Sequence, residues 1–207
     1  SSSVVFSVVE DVLVGSISMP GAVYSIKYAG NGVHMVAQED QSKYPPEAPP
    51  IPVDGSADPS SAGPVVADAP GLPDTGSQID LMVLYTPAAL ASAGSTAAIL
   101  ARINLGVAET NASYANSGVN PRMNLVYAGQ VSYTEDPDYN TGMETDLYAI
   151  RNNSGVFSNV ETLRMTYGAD LAMLISAPSS SPYCGIAFFM SSVSGTFARN
   201  AYANVAE

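Results

Sequence analysis

Two residue types that carry distinctive chemistry occur once each in the 207-residue chain: one histidine, His34, and one cysteine, Cys184. A single imidazole cannot build a zinc site, which draws three or four ligands mainly from His and Cys. His34 also lacks the partner needed for nucleophilic hydrolysis, because no Gly-x-Ser-x-Gly turn occurs. One thiol cannot close an internal disulfide or form a thiolate cluster. Cys184 is therefore a buried apolar residue, a reactive thiol, or half of a bridge whose partner lies outside this chain.

The carboxylates offer three further patterns, and each falls short of its chemistry. Asp136, Asp138 and Asn140 alternate ahead of Gly142, as oxygen ligands do in a cation loop. A helix-loop-helix calcium loop needs Gly at its sixth position and Glu at its twelfth. Those positions hold Thr141 and Leu147, so the segment reads as a solvated loop. Asp74-Thr75-Gly76-Ser77 has the composition of an aspartic-protease loop, but that chemistry needs a second carboxylate to share the proton, and no second Asp-Thr-Gly occurs. Leu72-Pro73-Asp74-Thr75-Gly76 matches a sortase recognition string, yet most of the chain follows it and Asp80 interrupts the apolar run behind it. It reads as ordinary turn-rich linker.

Three stretches of different character must position whatever chemistry exists. Residues 1–44 alternate apolar and polar positions between tight turns at Pro20-Gly21 and Asn31-Gly32, which predicts a small antiparallel sheet of three or more short strands. Residues 45–77 hold nine of the fifteen prolines amid Ser, Gly, Ala and Asp, with no hydrophobic period; this is an extended linker open to proteolysis. Residues 78–207 read as an α/β unit. Ile79–Tyr85 is a nearly continuous apolar strand, as in a sheet covered on both faces. Thr86-Pro87 then caps a helical pattern that runs to Ser117 and stops at Gly118. A second strand follows at 123–127, shorter helices at 142–151 and 159–167, a third strand at 169–175 and a fourth at 185–190. The first connections imply parallel strands.

Composition excludes several partners. Seven Lys+Arg against nineteen Asp+Glu give a formal net charge of −12, and no basic cluster occurs, so nucleic acid and an anionic membrane surface are not expected partners. No run of about 18 apolar residues is present to span a bilayer. Low charge content and acidity suit a secreted protein, although no signal peptide stands at the start of this chain.

In this setting the string IDLMVLYTPAAL (79–90) resembles the first strand and helix of reprolysin-like metzincins, bacterial peptidyl-Asp metalloendopeptidase-like enzymes in particular. YGADLAMLIS (167–176) is similar to the third strand of that fold, and YCGIAFFMSSVS (183–194) to the edge strand that follows. Residues 12–40 resemble the end of a pro-segment carried by such precursors. The resemblance implies a mixed, mostly parallel sheet over 78–207, the N-terminal half of a metzincin-like catalytic domain, preceded by the C-terminal part of a β-rich pro-segment over 1–44.

The resemblance also implies a secreted zinc metalloendopeptidase precursor acting on peptide or protein substrates. In that family zinc is held by an HExxHxxGxxH motif, whose Glu is the general base. The motif is not in this sequence, so no catalytic or metal-ligating residue is expected here, and zinc belongs to the complete parent protein. What this portion implies instead is substrate alignment. Gly185, Ile186, Ala187, Phe188 and Phe189 map onto the edge strand that pairs antiparallel with substrate through its backbone. Cys184 maps onto a cysteine that looks bridged, in these relatives, to one before the zinc helix. His34, Glu39 or Asp40 could offer a ligand to the metal in the zymogen. The rival expectation is a non-catalytic extracellular binding protein, with a β module linked to an α/β domain.

Overall fold

The computed structural model describes residues 2–45, 48–53, 78–178, 181–192 and 195–207. The chain begins with a four-stranded antiparallel meander, β1 (Ser3–Val9), β2 (Val12–Met19), β3 (Ala22–Gly30) and β4 (Val33–Gln38), ordered β1-β2-β3-β4. The β3–β4 hairpin turns on Asn31 and Gly32, both at positive φ. That is the mirror-image turn whose twist matches the flanking strands, and Asn-Gly is the pair that tolerates it. At Gly15 the ring of Phe6 from β1 lies where a side chain would stand.

Beyond this sheet come β5 (Ile51–Val53), β6 (Gln78–Tyr85), β7 (Arg122–Gln130), β8 (Leu171–Ser176), β9 (Gly185–Met190) and β10 (Tyr202–Ala206). They form one sheet in the order β5-β9-β10-β8-β6-β7. Every neighbouring pair is parallel except β9 with β10. The expected architecture, a mostly parallel mixed sheet preceded by a small antiparallel one, is the one observed.

Helices cover both faces of the larger sheet, as an apolar parallel sheet requires. The predicted long helix is two: α1 (Pro87–Ala93) and α2 (Thr96–Asn116). Gly94 takes a left-handed conformation that ends α1, and Ser95 restarts the chain by accepting the Ala98 amide proton. On the opposite face lie α3 (Gly142–Arg151) and α4 (Val160–Tyr167). β6 alternates between them. Leu81, Val83 and Tyr85 enter the core with α1 and α2, while Met82 and Leu84 enter the core with α3 and Phe157. Val12 and Val14 of β2 complete the first core, so α2 is held between the two sheets. Burying each such side chain contributes roughly 1.5–3 kcal/mol.

The linker expectation needs revision as well. Residues 45–77 were expected to be extended linker throughout, yet residues 51–53 form β5; residues 54–77 lie outside the described residues. A final strand, β10, follows the fourth predicted strand and carries it on the sheet.

Candidate functional site

The candidate site is the β9 edge of the larger sheet. β10 pairs with β8 on one side and with β9 on the other, through Ala203↔Ala187, Asn204↔Ile186 and Val205↔Gly185. The ladder extends one residue upstream, where the Ala206 amide donates to the Cys184 carbonyl at 2.9 Å. Gly185 sits against β10 with little to spare: a Cβ there would stand 3.4 Å from the Asn204 carbonyl oxygen.

The five predicted substrate-binding residues share this strand but differ in burial. Gly185, Ile186 and Ala187 are half-buried, Phe188 is buried and Phe189 is 53% exposed. Phe188 is fixed from below by α3. Tyr148 meets its ring edge-on at a centroid distance of 5.3 Å, and the Arg151 guanidinium lies 5.8 Å from its centre. Such contacts contribute about 0.5–1.5 kcal/mol beyond burial and fix the strand's roll.

Behind β9 a buried polar clamp sets its position. Asn204 accepts from the Ser176 hydroxyl at 2.8 Å and donates to the Met143 carbonyl at 3.1 Å. It thereby joins β10, β8 and the first turn of α3. Sequence reasoning missed Asn204, because a lone Asn inside a short apolar run gives no signal of its own. Glu135 does similar work at the C-terminal ends of β6 and β8, accepting from the Thr86 hydroxyl and, at 3.1 Å, from the Ala177 amide.

β9 was expected to be the outermost strand. β5 lies outside it instead, parallel, in the register Ile51↔Phe188, Pro52↔Phe189 and Val53↔Met190. Ile51 and Val53 pack against the core that holds Phe188, and the Ser191 hydroxyl donates to the Val53 carbonyl at 3.2 Å. Beside the start of β9, a cleft of about 230 Å³ opens between Pro49, Tyr139, Met143, Glu144, Tyr183 and Ile186. Its walls are mixed, with Asn140, Ser181 and the Glu144 carboxylate among apolar and aromatic side chains.

Cys184 corrects one of the sequence readings. It is exposed, so it is not a buried apolar residue. The strand pairing uses its carbonyl.

The residues present do not fit a zinc ion. The sequence holds one histidine, and His34 Nε2 already accepts the Leu13 amide proton at 3.0 Å. Glu39 accepts from the Ser25 hydroxyl and from Tyr44 at 3.0 Å, with Lys27 at 3.2 Å. The Ser25 hydrogen bond first, then those from Tyr44 and Lys27, hold its carboxyl below the ordinary range. Asp40 caps the short turn after β4 by accepting from the Ser42 amide. These groups hold their own sheet together. Among the described residues, no group of three or more His, Cys, Asp or Glu could hold a metal ion, and no single helix is long and apolar enough to cross a membrane.

The stretch of sequence that builds the larger sheet from β6 onward and its helices matches a known family. The family model of reprolysin-like metallopeptidases, family M12B, covers residues 75–206. The chain belongs to that family. This reprolysin-like chain is 29% identical over 202 residues to a peptidyl-Asp metalloendopeptidase from Xanthomonas campestris pv. campestris, covering 93% of itself and 44% of that protein. It is 30% identical over 191 residues to one from Stenotrophomonas maltophilia, with 90% and 43% covered. A third, from Pseudomonas aeruginosa, is 38% identical over 129 residues, with 59% and 20% covered. The chain thus spans less than half the length of these curated relatives. Among solved structures, a chain in a chaperone-substrate complex shares the fold at a TM-score of 0.50 and 16% identity, over 93% of this chain and 27% of that one.

Proposed function

We propose that this chain is a portion of a secreted zinc-dependent metalloendopeptidase precursor, supplying the strand that aligns a peptide substrate but not the zinc site. The observation that supports it best is the family match over 75–206, which contains β9 and the two elements that fix it, α3 and β10. A β-strand binds an extended peptide through its backbone amides and carbonyls, and neighbouring pockets select side chains. On this reading Gly185 to Phe189 hold the substrate's backbone, and Phe188 anchors the strand rather than touching substrate. No residue of this chain performs the bond-breaking step.

The 207-residue chain is accordingly expected to leave casein intact with or without added zinc. Casein cleavage that a chelator abolishes would refute the assignment of the metal site elsewhere. The single, already bonded histidine supports a second reading, a non-catalytic extracellular binding protein. The intact gene product separates the two: stoichiometric zinc binding with chelator-sensitive peptidase activity supports the first reading, and neither property supports the second.

A further inference from the structure

We propose that the cleft beside the start of β9 is a subsite for a basic side chain, arginine or lysine, of a peptide lying along Gly185–Ala187. The proposal rests on the peptide-aligning role proposed above for β9.

The place of the cleft follows from the two sides of the strand. β10 takes one side of Gly185, Ile186 and Ala187, and β5 pairs on the other side with Phe188, Phe189 and Met190. Among the described residues, the outer row of amides and carbonyls at 185–187 has no partner strand. Ile186 and Phe188 share one face, and both pack with the core that holds Leu147 and Ile150 of α3. The cleft opens on that face, between Ile186 and the first turn of α3, where Met143 and Glu144 stand. Of two consecutive residues in a peptide paired at 185–187, one must send its side chain to this face.

Volume and chemistry select that side chain. About 230 Å³ is less than the roughly 300–1,000 Å³ that takes a whole small molecule, and it suits one long side chain. Pro49, Met143 and Ile186 offer apolar surface to an aliphatic stem, and Tyr139 and Tyr183 add aromatic rings. Glu144 is exposed, and among the described residues it has no hydrogen bond or ion pair. A free carboxylate beside aromatic rings attracts a cation both by charge and by the ring quadrupole. An acidic side chain would meet like charge here, and the formal net charge of −12 favours the same sign of ligand.

The walls are fixed before any ligand arrives. The Ser181 hydroxyl accepts the Tyr183 amide proton at 3.1 Å and lies 3.0 Å from the Met143 sulfur. Asp138 accepts from the Asn140 and Thr141 amides at 2.9 and 2.8 Å, and Asn204 holds the Met143 carbonyl. Little ordering is left for the ligand to impose.

The test uses the full 207-residue chain, its Glu144→Gln variant and, as a charge control, Asp11→Asn in the β1–β2 turn, with circular dichroism to verify folding. The probes are fluorescein-labelled hexapeptides of alternating valine and threonine that carry one arginine, one norleucine or one glutamate. Binding is read by anisotropy, and amide shifts over 183–187 are read by NMR. The arginine peptide is expected to bind about tenfold more tightly than the norleucine peptide, and the glutamate peptide more weakly than either. Glu144→Gln is expected to remove about fivefold of the arginine preference and leave norleucine binding unchanged, while Asp11→Asn changes neither. Equal affinity for the arginine and norleucine peptides, or a preference that Glu144→Gln leaves intact, overturns the subsite; shifts at 185–187 then leave the peptide-aligning role standing. No binding by any peptide, or binding that leaves 185–187 unshifted, overturns the peptide-aligning role, and the proposal falls with it.

Discussion

Asn204→Ala tests whether the candidate edge depends on the polar clamp behind it. Asn204 and Ser176 are fully buried, and the amide joins Ser176 on β8 to Met143 at the start of α3. The substitution removes two hydrogen bonds, each contributing about 1 kcal/mol net, and leaves the Ser176 hydroxyl without its partner in a dry site. The vacated volume adds roughly another 1 kcal/mol. The expected loss is about 2–4 kcal/mol, a large share of the roughly 5–15 kcal/mol that holds a typical domain. In urea, with a slope of about 1–3 kcal/mol per molar, the midpoint should fall by about 1–2 M at constant slope. A double-mutant cycle with Ser176→Ala should return a coupling of about 1 kcal/mol. Because β10 is the strand that joins β9 to β8, hydrogen exchange over 185–187 should also accelerate. A loss below about 1 kcal/mol, or zero coupling, would show that the clamp does not position the strand.

Asp146 is fully buried and accepts from the Tyr133 hydroxyl at 2.7 Å and the Asp136 amide at 3.0 Å. Asp146→Ala should cost about 2–4 kcal/mol by urea unfolding, since both donors lose their acceptor. Burial raises its pKa above the ordinary 3.8, so the native state binds more protons than the unfolded one between the two values. The wild-type advantage over the alanine variant should therefore be largest below about pH 3.8 and shrink as pH rises through the native pKa; an advantage that grows with pH would contradict this assignment. Cys184 should react stoichiometrically with a thiol reagent in the folded chain, and a thiol that labels only after denaturation would contradict its exposure.

Periodicity made most of the larger sheet legible. β6 is a nearly unbroken apolar run because both its faces are covered, and Leu81/Val83/Tyr85 against Met82/Leu84 shows the two faces directly. The break between α1 and α2 was visible as Gly94-Ser95 but was overridden by the apolar spacing on either side. β10 escaped because Asn204 interrupts a five-residue strand, and only the partner positions on Ser176 and Met143 explain a buried amide there. β5 escaped for a different reason. Proline content marks a linker, and Ile51-Pro52-Val53 becomes a strand only because β9, distant in sequence, offers it an edge. The apolar character of 185–189 could be read locally; its neighbours could not.

The two ends of the larger sheet are bounded by different means. At the β7 edge, Asn111 of α2 imitates a peptide group: it donates to the Met123 carbonyl at 2.8 Å and accepts from the Met123 amide at 2.7 Å. That contact belongs to a helix whose first half lies in the core. It also engages the amide of the Asn111-Ala112-Ser113 sequon in the fold. At the β9 edge the seal is three residues of backbone, held by two apolar side chains and one hydroxyl, none of them in a helix. Ile51 and Val53 of β5 pack on the core that contains Leu147 and Ile150 of α3, whereas Asn111 lies outside either core. One end of the sheet is thus bounded by a side chain on a packed helix, and the other by a short strand joined to the sheet through β9.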